Sequence, residues 1–250
     1  MDTIRPAVLR RALFAEYLGS ALLAALVIGS GIAAQRLSPN TIGLELLENA
    51  AATAAGLYTI ILMFGPVSGG HFNPVVSLAD ASLGGISWRT AAAYIPTQVA
   101  GCISGAILAN AMFALSAVSI SSHHRASPAH LLGESVATAG LVVLVFSLAR
   151  TRRAATTPAA VGAYIGAAYF FTSSASFANP AISVGRIFSD TFAGIAPASA
   201  PGFAVAQLLG GAAALLLVRI LYPDVTAADA AQVIVPHADG DRSQPEPSFR

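Results

Sequence analysis

Residues 68–80, SGGHFNPVVSLAD, and residues 176–186, SFANPAISVGR, each contain one asparagine–proline pair. Asparagine is strongly preferred at the cap that precedes a helix, and proline is favoured at the first helical position. The two pairs, Asn73-Pro74 and Asn179-Pro180, therefore predict the first turns of two helices. Each pair lies between two long apolar segments, so the two predicted helices occupy matching points of the chain.

The first of these predicted helices is too short to cross a membrane. It begins at Pro74 and is expected to end near Leu83, because Gly84 and Gly85 follow. Such a helix is about 15 Å long, roughly half the thickness of the hydrocarbon core of a bilayer. A half-helix that starts at the midplane of the membrane is the natural geometry for this length.

The composition of the whole chain is that of a membrane protein. Of 250 residues, 55% are hydrophobic and only 10% are charged, and the mean hydropathy is +0.69. A soluble domain of this size needs more charge on its surface. We therefore predict an all-α membrane protein with six transmembrane helices and two re-entrant half-helices. The six apolar segments are approximately 11–34, 50–68, 89–114, 131–149, 157–173 and 201–221.

Several classes of function find no support in the composition. The net charge of +1 gives no reason to expect a nucleic acid as partner, and one cysteine, Cys102, cannot form an intramolecular disulfide or a Cys-rich metal centre. His123, His124 and His130 fall in the polar stretch 116–130, where a solvated loop is a better interpretation than a metal site. No catalytic set of residues is visible, so we expect neither an enzyme nor a cofactor.

The chain also contains an internal repeat. The order glutamate, Asn-Pro, glutamine occurs twice, and the two sets are Glu16, Asn73 and Gln98, then Glu134, Asn179 and Gln207. Each half contains three spans, an odd number, so the second half must insert upside down relative to the first. Inverted repeats with interrupted helices build a site at the bilayer midplane in many transport proteins. This pattern alone is compatible with a channel and with a secondary transporter.

The repeat divides the chain into five parts. The predicted parts are a cytoplasmic N-terminus at 1–10, a first repeat at 11–114, an extracytoplasmic connection at 115–130, a second repeat at 131–222 and a disordered cytoplasmic tail at 223–250. Arg150, Arg152 and Arg153 cluster in one short loop, and the positive-inside rule then places both termini in the cytoplasm.

The two half-helices would meet N-terminus to N-terminus. Because each helix N-terminus carries about half a positive charge, the meeting point would repel cations and disfavour proton transfer. The side-chain oxygen of each asparagine is used as a cap, which leaves its NH₂ group to donate to a passing solute. The pattern therefore predicts a pore for uncharged molecules.

On these residues the chain resembles the aquaporin and aquaglyceroporin family, also called the major intrinsic protein family. The resemblance extends over about residues 10–222 and is carried by both Asn-Pro stretches and by the glutamates of AEYLG and GESVA. It implies one passive pore per subunit for water and small uncharged solutes, a homotetramer in contact with membrane lipid, and a bacterial inner (plasma) membrane location.

The same resemblance assigns roles to individual residues. Asn73 and Asn179 become the pore asparagines, within motifs completed by Pro74 and Val75 and by Pro180 and Ala181. Glu16 and Glu134 are expected to brace the backbones of the re-entrant loops. His71 and Phe72 lead into the first half-helix, and His71 is expected to line the pore as a hydrogen-bonding group, with a proton-operated gate as the alternative.

The chain departs from the family pattern at two positions. Val75 replaces the usual alanine of the first motif, and Ile182 occupies the position after the second motif, where the family usually has an arginine. An ungapped count places the other outer constriction residues at Thr53, Ala167 and Ser176, with a register that could shift by a few residues at the first two. The absence of aromatic and charged side chains from this set predicts a wider and less polar constriction. Such a constriction would admit glycerol-like polyols, urea, or neutral metalloid hydroxides such as arsenous acid.

Two further residues require an interpretation. Arg186 lies one turn after Ile182 on the same helical face, where it could add positive potential to the outer vestibule or pair with Asp190, and we expect the pairing. Glu16 and Glu134 are the residues that a secondary transporter could use for coupling, and this is the alternative function.

Overall fold

The computed structural model describes residues 6–151 and 153–223, and within these residues it contains helices and no strand. Of the sequence-based predictions, those for the disordered tail beyond residue 223 and for Arg152 lie outside the described residues, and so does most of the predicted N-terminal part. The helices are α1 (Pro6–Leu37), α2 (Ile42–Ser68), α3 (Pro74–Leu83), α4 (Trp88–Met112), α5 (Pro128–Arg150), α6 (Thr157–Phe171), α7 (Pro180–Gly185) and α8 (Ala200–Leu221).

Five of these helices, α1, α2, α4, α5 and α8, are long and apolar enough to cross a membrane. Helix α6 is shorter than the predicted span, because it ends at Phe171 where the chain turns into the second re-entrant segment. A 3₁₀ turn, Ala154–Thr156, precedes it. Together with the half-helices α3 and α7, these elements give the predicted arrangement of six spans and two interrupted segments.

The two half-helices differ in length. Helix α3 begins at Pro74 and ends at Leu83, as the sequence predicts, and Gly84 follows in the left-handed conformation with φ 86°. Helix α7 has only 6 residues and changes at Arg186 into the 3₁₀ turn Arg186–Phe188. The half-helix of the second repeat is therefore α-helical for a shorter distance.

The packing of the helices follows the repeat. Helix α1 lies against α4 in the first half, and α5 lies against α8 in the second, while α2 and α6 join the halves. Each of the first two contacts depends on a glycine that follows the conserved glutamine of its repeat. A Cβ atom at Gly101 would lie 2.5 Å from the Tyr17 carbonyl oxygen, and one at Gly210 would lie 2.3 Å from the Ser135 carbonyl oxygen. Small residues at such crossings let helices approach closely within a membrane.

The connection between the repeats covers residues 113–127, since α5 begins at Pro128 rather than after residue 130. It lies against the segment that follows α7: Ser121 N–H donates to the Ile187 carbonyl at 2.8 Å, and Ala196 N–H donates to the His123 carbonyl at 2.8 Å. This connection therefore covers the end of the molecule where the second half-helix ends.

Candidate pore

The two half-helices begin beside each other, and each asparagine caps its own helix. Asn73 Oδ1 accepts a hydrogen bond from the Val75 N–H at 2.9 Å, and Asn179 Oδ1 accepts one from the Ala181 N–H at 2.9 Å. A proline follows each asparagine at the first helical position. These contacts are the ones that the Asn-Pro pairs predict.

The amide groups of the same two asparagines join the two halves of the protein. Asn73 Nδ2 donates to the Ala178 carbonyl at 2.8 Å, and Asn179 Nδ2 donates to the Phe72 carbonyl at 2.7 Å. The sequence predicts amides that are wholly free for a solute, whereas each amide here uses one of its two hydrogens across the junction. The other hydrogen remains, and both asparagines line the central cavity.

The residues that precede the asparagines adopt an unusual backbone conformation. Phe72 has φ 49° and Ala178 has φ 48°, in the left-handed region that residues with a Cβ atom adopt rarely. Such a residue costs roughly 1–3 kcal/mol and persists only where its surroundings fix it. The surroundings here are carboxylates, because Phe72 N–H donates to Glu16 Oε2 at 2.8 Å and Ala178 N–H donates to Glu134 Oε2 at 2.8 Å.

Glu16 is completely buried, and every polar contact that it makes serves the first re-entrant loop. Its Oε1 accepts from the His71 N–H at 3.0 Å and from Ser68 Oγ at 2.6 Å. Its Oε2 accepts from Gln98 Nε2 at 2.7 Å in addition to the Phe72 N–H. The carboxylate therefore holds two consecutive backbone N–H groups of the loop.

Glu134 does the same in the second repeat. Its Oε1 accepts from the Phe177 N–H at 2.8 Å, and its Oε2 accepts from Gln207 Nε2 at 2.6 Å as well as from the Ala178 N–H. Glu134 is also fully buried. Since an unpaired carboxylate in a membrane is costly, these donors explain how both carboxylates are tolerated.

The first half-helix contains a buried pair of ionisable side chains. His71 Nε2 lies 3.3 Å from Asp80 Oδ2, and both side chains are 1% exposed. The other ring nitrogen, Nδ1, lies 3.0 Å from Ser77 Oγ. His71 lines the cavity, so Asp80 and Ser77 together fix the orientation of a ring in the pore wall.

A central cavity passes between the half-helices. About 60 Å³ of it is open to the centres of water molecules, which corresponds to roughly four to six waters. Most of its wall is aliphatic or aromatic, and the first turns of the two half-helices contribute Val76 and Ile182. The polar side chains in the wall are Thr53, His71, Asn73, Tyr169, Ser176, Asn179 and Arg186.

Three of the four predicted constriction residues line this cavity, and one does not. Thr53, Ser176 and Ile182 are in the wall, but Ala167 is exposed on the outer face of α6. Tyr169 takes its place, and its hydroxyl lies 3.1 Å from Thr53 Oγ1. The assignment to Ala167 is therefore corrected by two residues, because an ungapped count cannot locate the turn between α6 and the second re-entrant segment.

Arg186 also lines the cavity and does not pair with Asp190. Its Nε donates to the Ala193 carbonyl, and its guanidinium carbon lies 3.4 Å from the centre of the Phe177 ring. Asp190 Oδ1 instead accepts from the Ser122 N–H at 2.8 Å and from Ser122 Oγ at 3.0 Å. The expected salt bridge is wrong because the chain changes to a 3₁₀ turn at Arg186, so the helical spacing behind the prediction ends there.

The loop histidines show no sign of a metal centre within the described residues. His123 Nε2 lies 3.8 Å from Asp190 Oδ1, and His130 Nδ1 lies 2.6 Å from the Arg125 carbonyl oxygen. Both histidines are therefore bonded within the loop that connects the repeats.

Residues 3–185 of the chain match the major intrinsic protein family. The chain belongs to this family. Its members are passive membrane channels of the aquaporin and aquaglyceroporin type for water and small solutes, and the protein is accordingly a multi-pass membrane channel and not an enzyme.

Relatives of the chain occur in bacteria and animals. Aquaglyceroporin AqpS of Rhizobium meliloti (strain 1021) is 47% identical over 213 residues, which cover 85% of this chain and 91% of the relative. Aquaporin-5 of Ovis aries is 30% identical over 149 residues, or 57% of this chain and 54% of the relative. The X-ray structure of the aquaglyceroporin from Plasmodium falciparum matches with a TM-score of 0.68 at 18% identity, covering 86% of this chain and 98% of that one, and it supports the fold.

Membership of the aquaporin and aquaglyceroporin family does not by itself explain three residues that sequence reasoning missed. Tyr169 and Phe177 are aromatic residues of the cavity wall, and Asp80 is the buried partner of His71. Asp80 carried a usable signal, because it is a charged residue in a re-entrant helix and follows Asn73 by the same spacing as Arg186 follows Asn179. The two aromatic residues carried none, since many apolar residues surround them in the sequence.

Proposed function

We propose that this channel is a passive pore for water and for uncharged solutes larger than water, such as glycerol-like polyols, urea or neutral metalloid hydroxides such as arsenous acid. The observation that carries the proposal is the cavity itself, which passes between two capped half-helix N-termini and is lined by the free sides of Asn73 and Asn179. A solute at this point meets hydrogen-bond donors and no titratable carboxylate.

The exclusion of ions follows from the same junction. The N-termini of α3 and α7 meet there, and each contributes partial positive charge from its unpaired N–H groups. A cation that enters would lose its hydration shell in a mostly apolar wall and meet positive potential. A water molecule that donates to neither asparagine but accepts from both cannot pass a proton along the file.

The composition of the wall supports solutes with both carbon and oxygen atoms. Ile182 offers an aliphatic surface, while Thr53, Ser176 and Arg186 offer hydroxyl and guanidinium groups. The constriction is more aromatic and more polar than the sequence predicts, because Tyr169 and Arg186 belong to it. An amphipathic wall suits a polyol, whose carbon chain and hydroxyl groups need different surfaces. The name of the rhizobial relative, an aquaglyceroporin, agrees with this class of solute.

A secondary transporter is disfavoured by the contacts of the two glutamates. Coupling needs a carboxylate that is free to exchange protons or ions along the route. Glu16 and Glu134 instead accept hydrogen bonds from backbone N–H groups, and neither lines the cavity. We therefore assign them a structural role.

Stopped-flow light scattering on proteoliposomes tests the proposal. We expect rapid flux of water, glycerol, urea and arsenous acid that rises linearly with concentration and ignores a proton gradient. Water flux with complete exclusion of glycerol and arsenous acid would refute the wide pore. Saturating or gradient-dependent flux would point to a transporter.

Assembly and orientation complete the proposal. We infer a homotetramer in a bacterial inner membrane with both termini in the cytoplasm, on the basis of the family and of the Arg150–Arg153 loop. Large apolar side chains are exposed on the outer surface, including Phe14 on α1, Leu132 on α5 and Leu209 on α8, as lipid and subunit contacts require. A mass corresponding to four chains by light scattering in detergent is expected, and a monomeric mass would exclude the tetramer.

A further inference from the structure

The position of Arg186 is fixed by two contacts that leave part of its guanidinium group unused. Nε donates to the Ala193 carbonyl, and the face of the group lies on the Phe177 ring. Among the described residues, no hydrogen bond from the two terminal nitrogens is present. The side chain is 3% exposed and belongs to the cavity wall, so these nitrogens are the remaining donors toward the lumen.

The positive charge of Arg186 has no direct counter-ion in residues 6–151 and 153–223. Asp190 is held by Ser122, and both oxygens of Glu134 accept from the re-entrant loop and Gln207. A second cation lies on the same ring: the Arg125 guanidinium carbon is 5.7 Å from the centre of Phe177. Two arginines therefore share one aromatic residue, and the potential at this end of the cavity is positive.

A polar group across the wall lacks a partner as well. Ser176 Oγ is buried, lines the cavity and has no hydrogen-bond partner among the described residues. Buried hydroxyl groups are normally bonded, so an unpartnered one in a channel wall is available to a solute. Ser176 and Arg186 together offer one hydroxyl group and a planar set of N–H donors.

We propose that Arg186 is the specificity-determining residue of the constriction, and that it supplies from one turn farther along the chain the positive charge absent at Ile182. This inference rests on the proposed channel function. The guanidinium repels cations, and with Ser176 it selects uncharged solutes that carry acceptor oxygens. The family match ends at residue 185, so the argument rests on contacts in this structure.

A lysine at this position would be only a partial substitute. It keeps the charge, but it has no planar face to lie on Phe177 and no fork of donors fixed relative to the lumen. The two properties assigned to Arg186, repulsion of cations and presentation of donors, can therefore be separated by substitution.

The test measures sodium and glycerol permeability of proteoliposomes that contain the full chain. For Arg186→Gln we expect sodium permeability to rise about tenfold or more, because a fixed charge in a low-dielectric pore is removed. Glycerol flux persists in this variant. Arg36→Gln is the matched control, since Arg36 also lies over an aromatic ring, Phe113, at 5.2 Å but belongs to the outer surface. Its sodium and glycerol permeabilities should equal those of the wild type.

The outcomes separate the two proposals. If the wild type passes neither water nor glycerol, the proposed function fails. If the wild type passes both and Arg186→Gln excludes sodium as well as the wild type does, only the role of Arg186 is overturned. Should Arg186→Gln not fold, Arg186→Lys decides: sodium exclusion within about twofold of wild type together with glycerol flux altered about threefold or more supports the inference. Unchanged glycerol flux or lost sodium exclusion in that variant contradicts it.

Discussion

The re-entrant segment of the first repeat, residues 68–83, and that of the second, residues 174–188, share their contacts up to the asparagine and differ beyond it. Both use a buried glutamate, a left-handed residue and a capping asparagine. The seventh residue after the asparagine is Asp80 in one segment and Arg186 in the other. Asp80 binds His71 and stays out of the lumen, whereas Arg186 lies on Phe177 and lines it.

This difference shows which parts of the repeat carry structure and which carry selectivity. The shared contacts hold the strained backbone and position two half-helix N-termini, so both halves must keep them. The partners at the seventh position are free to differ. The first half ends in a neutralised pair, and the second half ends in an uncompensated cation.

The largest expected effect comes from removing the shared carboxylates. Glu16→Gln loses the charge that accepts four hydrogen bonds, and Glu134→Gln loses one that accepts three. Each substitution leaves buried donors poorly paired and should destabilise the fold by ~3 kcal/mol or more, with the larger loss for Glu16. Recovery of soluble protein by size exclusion after graded heating in detergent measures the order. Equal heat resistance of both variants and the wild type would show that the glutamates are not needed for the loops.

The next effect concerns the pairs at the seventh position. A double-mutant cycle of His71→Phe with Asp80→Ala should give a coupling energy of ~1–3 kcal/mol, because a buried charge-assisted contact is lost. The corresponding cycle of Phe177→Leu with Arg186→Ala should give ~0.5–2 kcal/mol, as a cation–π contact does. Thermal unfolding in detergent provides both values. A larger coupling in the second half would reverse the assignment of a structural pair to the first.

A third effect tests the equivalence of the two helix crossings. Gly101→Ala and Gly210→Ala each place a methyl group against a backbone carbonyl of the neighbouring helix. Overpacking of this kind costs ~1–3 kcal/mol, and the two costs should be similar because the crossings occupy equivalent places. Melting temperatures of the two variants check this, and a loss confined to one of them would break the symmetry.

These effects were accessible from the sequence to different degrees. The repeat, the six spans, the caps and the bounds of α3 follow from Asn-Pro pairs, apolar segments and Gly84, since all of these are local signals. The position of Tyr169 and the contacts of Arg186 depend on where α6 and α7 end. Those ends are set by tertiary contacts of the loops, and neither apolar periodicity nor residue spacing reports them.

The smallest expected effect lies outside the membrane, in the loop that follows α7. Hydrogen bonds from the Ser122 backbone and side chain hold the pKa of the Asp190 carboxyl below its ordinary value of 3.8. A lowered folded-state pKa means that this contribution to stability is present above pH 3.8 and is lost as the pH falls through the lowered value. The melting temperature of Asp190→Asn should therefore lie slightly below that of the wild type at neutral pH, and the difference should vanish in acid. A difference that grows in acid would contradict the assignment.

The measurement that tests the position of the pore most directly is glycerol flux through proteoliposomes that carry a tryptophan at one of two positions. Ile182 lines the cavity, and Ala167 is exposed on the outer face of α6. We predict that Ile182→Trp abolishes glycerol flux by filling the lumen, while Ala167→Trp conducts like the wild type. Flux that survives Ile182→Trp, or that is blocked by Ala167→Trp, would contradict this account of the pore.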